Sequence, residues 1–159
     1  GQHKDEEAGD AGHSKKRGYK VHVSVDEGSG VVRRVKVTPA NRHDRSCAEE
    51  LVCGDERSVY ADKAYDSRTL RNFISTQNIR PRILRRIYPK DHSAYKQARY
   101  KALNGRYSRV RKAVERVFGT LKRSYHYRHS RYKGLQKNTT EAFLKIIAYN
   151  IRKLHAACP

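Results

Sequence analysis

Residues 18–26 read GYKVHVSVD, an alternation that sets Val21, Val23 and Val25 on one face and Lys20, His22 and Ser24 on the other. A period of two over so many positions fits a β-strand with one packed face. The turn EGSG at 27–30 and the β-rich run VVRRVKVT after it complete a hairpin. The rest of the chain must build on that pair.

Beyond the hairpin, short strands alternate with helices. A helix from about Arg45 to Val52 is expected with Asp44 as its cap. SVYA at 58–61 reads as a strand ending at Asp62, and Asp66 and Ser67 can cap a helix carrying Leu70, Phe73 and Ile74. Ile79–Leu84 reads as a further strand, placed at an edge by Pro81. Residues 85–104 show weak periodicity and are expected to run over the surface. Two helices close the chain, at about 106–124 and 139–156. The second has Asn138 and Glu141 at capping-box spacing and Phe143, Ile147, Ile151 and Leu154 as its apolar face. Residues 1–16 are polar and Gly-rich, expected as a flexible lead-in to one domain over 17–159. Strands followed by mixed helices argue for an α/β layered fold.

Charge narrows the partner. Lys and Arg number 36 against 16 acids, a formal +20 in 159 residues, and self-repulsion on that scale calls for a polyanion. Residues 80–135 hold 18 Lys or Arg against two acids, Asp91 and Glu115, and seven of the 11 Tyr. Basic groups neutralise phosphates and interleaved aromatics can stack on unpaired bases. Within this block Lys112, Arg116, Arg123, Arg128, Arg131 and Lys133 are candidate DNA-contacting residues. No apolar run approaches the length of a membrane span and no secretion signal is present, so no membrane partner is expected. Cys47, Cys53 and Cys158 are odd in number without CxxC spacing, which reads as reduced thiols. A zinc site on His43, Cys47 and Cys53 lacks a nearby fourth ligand. The absence of Met reads as a chain cut from a longer protein.

The helix at 106–124 carries the most specific pattern. Val110, Ala113, Val114, Val117, Phe118 and Leu121 form an amphipathic stripe. At about 100° per residue, Arg111, Glu115 and Lys122 fall in a ~40° band along its edge. On spacing alone, an exposed Glu paired to an Arg one turn away is the better explanation of Glu115. Asp62, just after a strand, sits where ligands of α/β folds tend to bind, and a turn Asp explains it equally well. Together the two carboxylates offer hard oxygen ligands for a magnesium ion in phosphoryl transfer.

The motifs GYKVHVSVDEGSG, TPANRHD, YADKAYDS, RKAVERVFGTLKR, RYKGL and IAYNIRKL succeed one another in that order from about Gly18 to Lys153. In this they resemble the DDE transposases of bacterial insertion sequences, of the IS-four-like superfamily, in its C-terminal catalytic portion. The resemblance implies a ribonuclease-H-like mixed sheet flanked by helices. It also implies DNA cleavage and strand transfer by three carboxylates on Mg2+ or Mn2+. The family's second Asp falls on Asp62. Its Tyr-x2-Arg-x3-Glu-x6-Lys pattern falls on Arg111, Glu115 and Lys122, the same trio as the helix edge. Arg111 and Lys122 are then stabilisers of charge at the scissile phosphate. Ser108 stands at the pattern's Tyr, with Tyr107 one residue early, and Ala64 stands where Gly is common.

The family's first Asp belongs to a strand upstream of GYKVHV. Asp5, Asp10 and Asp26 are not substitutes, so the sheet is expected to lack its first central strand. An isolated chain of this kind would be marginally stable or self-associating. Transposon ends and target DNA are the implied partners, with a homo-oligomer formed with itself or with intact transposase. The bacterial cytoplasm, at the nucleoid, is the implied place. Two rivals stand beside this reading. One is a catalytically inactive remnant that only binds DNA or interferes with an intact enzyme. The other is a basic RNA-binding or ribosome-associated protein, which leaves the ordered motifs unexplained.

Overall fold

The computed structural model describes residues 5–11, 16–88, 90 and 93–157. Positions 1–4 and 12–15 of the expected lead-in, together with Asp91 and Cys158, lie outside them. The chain is a mixed α/β protein that divides into two compact units. Gly1–His43 with Val114–Pro159 form one, and Asp44–Ala113 form the other. Sequence pattern alone gives no sign of this division within 17–159.

In the first unit, β1 (Gly9–Ala11), β2 (Lys16–Val25) and β3 (Val32–Pro39) make an antiparallel sheet in the order β1-β2-β3. Val21 faces Val37 and Val23 faces Val35, with a bulge between Ser24 and Val25. Asp26 closes the hairpin by accepting hydrogen bonds from the Ser29 amide and hydroxyl, both at 2.7 Å. The alternation that defines β2 does not leave its other face wet throughout. His22 is buried, its Nε2 3.0 Å from the Oγ1 of buried Thr38, so the polar face is covered at that position.

Two helices complete this unit. α3 (Leu135–His155) and the C-terminal part of α2 (Ala94–Ser124) share a core with β3 built from Val32, Val117, Leu121, Ile146 and Tyr149. Burying side chains such as Val117 and Leu121 contributes roughly 1.5–3 kcal/mol each before entropy is counted. Asn150 fastens α3 to the sheet edge. Its Oδ1 accepts from the Val32 amide at 2.9 Å, and its Nδ2 donates to the Val32 carbonyl at 2.8 Å.

The lead-in is docked over its described part. The Asp5 carboxylate accepts from the Gly134 amide at 3.1 Å and the Tyr19 hydroxyl at 2.9 Å, and Glu7 accepts from the Leu135 amide. These acids meet the unsatisfied amides at the start of α3, where the helix dipole favours negative charge. Gly134, the residue before α3, has φ of 92°, a value that favours glycine.

In the second unit, β4 (Ser58–Ala61) and β5 (Arg80–Ile83) pair in parallel, joined through α1 (Arg68–Thr76). Ser67 caps α1 by accepting from the Leu70 amide. Pro81 cannot donate to a ladder, and β5 pairs only with β4 among the described residues. Ala48, Val52, Leu70, Ile74, Ile79 and Ile83 form the core, with Val59, Ala61, Tyr65 and Phe73 against it.

Several local expectations need correction. The helix placed at 45–52 is two 3-10 turns, Asp44–Cys47 and Glu49–Leu51. The surface excursion at 85–104 is helical from Ala94, because α2 begins well before the amphipathic stripe that marks its second half. α3 begins at Leu135, so Asn138 is no cap. It is buried and donates to the carbonyls of Tyr132 and Gly134, both at 2.8 Å. Glu141 instead pairs with Lys145 at 2.7 Å. The packed face of α3 is Asn138, Glu141, Ala142, Ile146 and Tyr149, while Phe143, Ile147, Ile151 and Leu154 are exposed.

Candidate functional site

Asp62 leaves the end of β4 in an extended conformation and caps the 3-10 turn Lys63–Tyr65. Its Oδ1 accepts from the Lys63 amide at 2.6 Å. The cap leaves Oδ2 turned toward α2, where Arg111 Nη2 approaches to 3.5 Å. The carboxylate is 40% exposed and the guanidinium 24%. A carboxylate at the carboxyl end of a parallel strand is thus held by its own turn and by a helix of the same unit. Burial, reinforced by the charges of Asp44, Cys47 and Asp62, pushes the neighbouring Tyr65 hydroxyl far above the ordinary phenol range, so it stays a neutral donor.

Beside this turn, Tyr107 of α2 meets Tyr60 of β4 edge-on, with ring centroids 5.7 Å apart at 82°. The Arg82 guanidinium of β5 lies over both rings, 5.7 Å from Tyr60 and 5.9 Å from Tyr107. Offset and edge-on pairs with a cation over the face add attraction beyond burial. Tyr107, displaced by one residue from the expected aromatic position, therefore locks α2 onto β4. The two tyrosines are far apart in sequence, and no local signal could have revealed their pairing.

Glu115 and Lys122 come after Arg111 on α2, and both are exposed. Ala113, Val117 and Leu121 are buried, so the stripe packs as its periodicity requires and the charged edge stays outside. Lys112, Arg116 and Arg123 are also exposed on α2, and Arg128, Arg131 and Lys133 are exposed in the segment before α3. Arg128 Nε donates to the carbonyl of Lys122 at 3.4 Å. The structure thus brings Asp62 and Arg111 together and carries Glu115 further along the same helix.

The carboxylates of Asp62 and of Glu115, each taken by itself, are hard oxygen donors of the kind a divalent cation takes. Among the described residues, the one group of three side chains close enough to share an ion is a different set, Cys53, Asp55 and Glu56. There Glu56 is already engaged by the amides of Cys53 and Gly54, each at 2.8 Å. No helix among the described residues is long and apolar enough to cross a membrane.

The chain belongs to the transposase DDE domain family, whose profile matches residues 1–151. It is 34% identical over 143 residues to the transposase for insertion sequence element IS1106 of Neisseria meningitidis serogroup B. That match covers 87% of this chain and 47% of the relative, so the chain spans about half the relative's length. No solved structure matches it.

Proposed function

We propose that these residues form the C-terminal part of a transposase catalytic domain that binds DNA and cuts and joins its strands with divalent metal. The observation that carries the reading is the Asp62–Arg111 pair. Two residues that motif order alone assigns to one active site are distant in sequence, yet they meet through side chains. Family membership and the basic α2 support the same reading.

Asp62 and Glu115 are the carboxylates we assign to the cation, Mg2+ or Mn2+, with a third from a strand outside these residues. That assignment rests on their places in the ordered motifs. When bound, the cation supplies a nucleophile at neutral pH and neutralises developing charge on the phosphate. Arg111 orients the Asp62 carboxylate and, with Lys122, offsets negative charge on the scissile phosphate. Lys112, Arg116, Arg123, Arg128, Arg131 and Lys133 hold flanking phosphates, and each such contact releases counterions on binding, which makes affinity salt-dependent.

A ribonuclease-H-like mixed sheet that lacks its first central strand is the architecture we infer. Two features support it. An antiparallel hairpin and a parallel βαβ pair are the two flanks of such a sheet. Among the described residues β4 pairs only with β5, and β2 pairs over residues 19–25 with β3 and over residues 16–18 with β1. A protein of this kind acts on transposon ends and target DNA in the bacterial cytoplasm.

The test is nicking of supercoiled plasmid by a longer chain that adds an upstream strand to these residues. It should cut with magnesium or manganese and not with chelator. Asp62→Asn and Glu115→Gln should each abolish cutting while DNA binding persists. Equal cutting by Glu115→Gln would remove Glu115 from the mechanism.

A further inference from the structure

At the carboxyl end of the β4–β5 pair, beside the turn that holds Asp62, lies a pocket of about 500 Å³. It is lined by four arginines, Arg68, Arg71, Arg85 and Arg86, with Asp66, Tyr88 and Tyr100 also on its wall. The single acid does not offset this charge. Arg71 takes up Asp66 at 2.7 Å and also donates to the Ile83 carbonyl at 2.9 Å. Three guanidinium groups are therefore left in excess, and a basic concavity of nucleotide size is a site for an anion.

The wall is built, not loose. Asn104 of α2 bonds both backbone groups of Arg85, accepting from its amide at 2.8 Å and donating to its carbonyl at 2.9 Å. The Arg85 guanidinium is stacked 5.8 Å from the Tyr100 centroid. Arg86 Nε donates to the carbonyl of Lys63 at 3.3 Å, and the Lys63 amide is the donor to Asp62. One residue thus separates the pocket from the strand-end carboxylate. The Arg68 side chain has no hydrogen-bond or ion-pair partner among the described residues, and Tyr88 is 46% exposed on the same wall.

We propose that this pocket binds one nucleotide of an unpaired DNA strand. Arg68 and Arg86 hold its phosphate, and the Tyr88 ring supports its base. Planar guanidinium forks match phosphate oxygens in pairs, and an aromatic face accepts any base by stacking. A strand so held runs directly past Asp62, so the pocket selects DNA whose end has been unpaired. This rests on the reading of the chain as acting on DNA, and deepens it.

The test is fluorescence anisotropy of the 159-residue chain with one labelled oligonucleotide as single strand, as duplex and as the RNA of the same sequence. Single-stranded DNA should bind more tightly than the duplex. The double variant Arg68→Gln/Arg86→Gln should lose about tenfold or more on the single strand and lower its salt slope by about 0.7, the value for one lost phosphate contact. A charge-matched Arg33→Gln/Arg34→Gln variant on β3 should fall clearly short of that loss. Tyr88→Ala should cost at least about fivefold on the single strand and little on the duplex. Photocrosslinking of an iodouracil-substituted strand to the unmutated chain, mapped by peptide, keeps the test open if a variant misfolds. Crosslinks should fall at Tyr88. Crosslinks confined elsewhere, equal losses in the two double variants, or tighter binding of RNA would overturn the pocket while DNA-binding activity stands. Failure of the chain to bind any DNA would overturn both.

Discussion

Arg111 Nη2 lies 3.5 Å from Asp62 Oδ2, and the other Asp62 oxygen is occupied by the Lys63 amide at 2.6 Å. Structure and charge are divided between the two oxygens. Asn can keep the amide bond while losing the ion pair; Ala loses both. A half-exposed pair at this distance is worth about 0.2–1 kcal/mol, whereas loss of a capping acceptor costs about 1 kcal/mol. Chemical denaturation should therefore rank Asp62→Ala as more destabilising than Asp62→Asn, with Arg111→Gln close to the latter. Equal losses for Asn and Ala would mean that the ion pair, not the cap, fixes this turn.

Each unit has its own core, and each core has a fully buried aliphatic at its centre: Ile74 in one and Leu121 in the other. Truncating either to Ala removes buried contacts and leaves a cavity, at about 2–5 kcal/mol. Hydrogen exchange followed by mass spectrometry should show Ile74→Ala loosening α1, β4 and β5 first. Leu121→Ala should loosen β2, β3 and α3 first. Uniform loosening of the whole chain by either variant would show that the two cores unfold as one.

Much of the local structure is legible in the sequence, and its failures have physical causes. The period-two run at Val21, Val23 and Val25, the Ser67 cap and the stripe through Ala113, Val117 and Leu121 each carry their signal within a few residues. The first half of α2 carries none, because most of its side chains are exposed and an exposed helix needs no apolar period. α3 misleads for the opposite reason. Its most hydrophobic stripe, Phe143 to Leu154, is exposed, and its packed face is made partly of Asn138, Glu141 and Ala142. Hydropathy ranks residues by apolar content, whereas packing here also uses a small side chain and polar groups with partners. In the candidate site, Arg111, Glu115 and Lys122 are readable because one helix fixes their spacing. The Asp62–Arg111 and Tyr60–Tyr107 contacts are tertiary, and nothing in either segment alone encodes them.

Asn138 shows what such a polar packing residue is worth. Its amide donates to two carbonyls, Tyr132 and Gly134, on the turn that enters α3, with the side chain almost wholly buried. Each bond contributes about 1 kcal/mol, and when the side chain is cut the Gly134 carbonyl still accepts from the Asn138 backbone amide. Asn138→Ala should lower unfolding stability by about 1–3 kcal/mol in urea titrations. Asn138→Asp should do no better at neutral pH, because the carboxylate has no proton to donate to either carbonyl. Recovery of full stability in the Asp variant would mean that shape, not donation, matters at this position.

The docking of the N-terminal segment on α3 predicts a pH dependence with a definite sign. The backbone hydrogen bond from Gly134, which outweighs the opposing effect of burial, together with that from the Tyr19 hydroxyl holds the Asp5 carboxyl below its ordinary 3.8. A carboxyl lowered in the folded state stabilises it fully above the unfolded value, and that contribution is lost as pH falls through the folded one. Stability of the unaltered chain minus that of Asp5→Asn should be constant from about pH 7 to about 5. Below 3.8 it should shrink as the proton returns to the carboxyl. Protection of the Gly134 amide against exchange, taken relative to its intrinsic rate, should fall in the same acid range, since this is the group that Asp5 holds. A difference that grows toward acid would reverse the sign and place Asp5 in a setting that favours its protonated form, contrary to the two donors it faces.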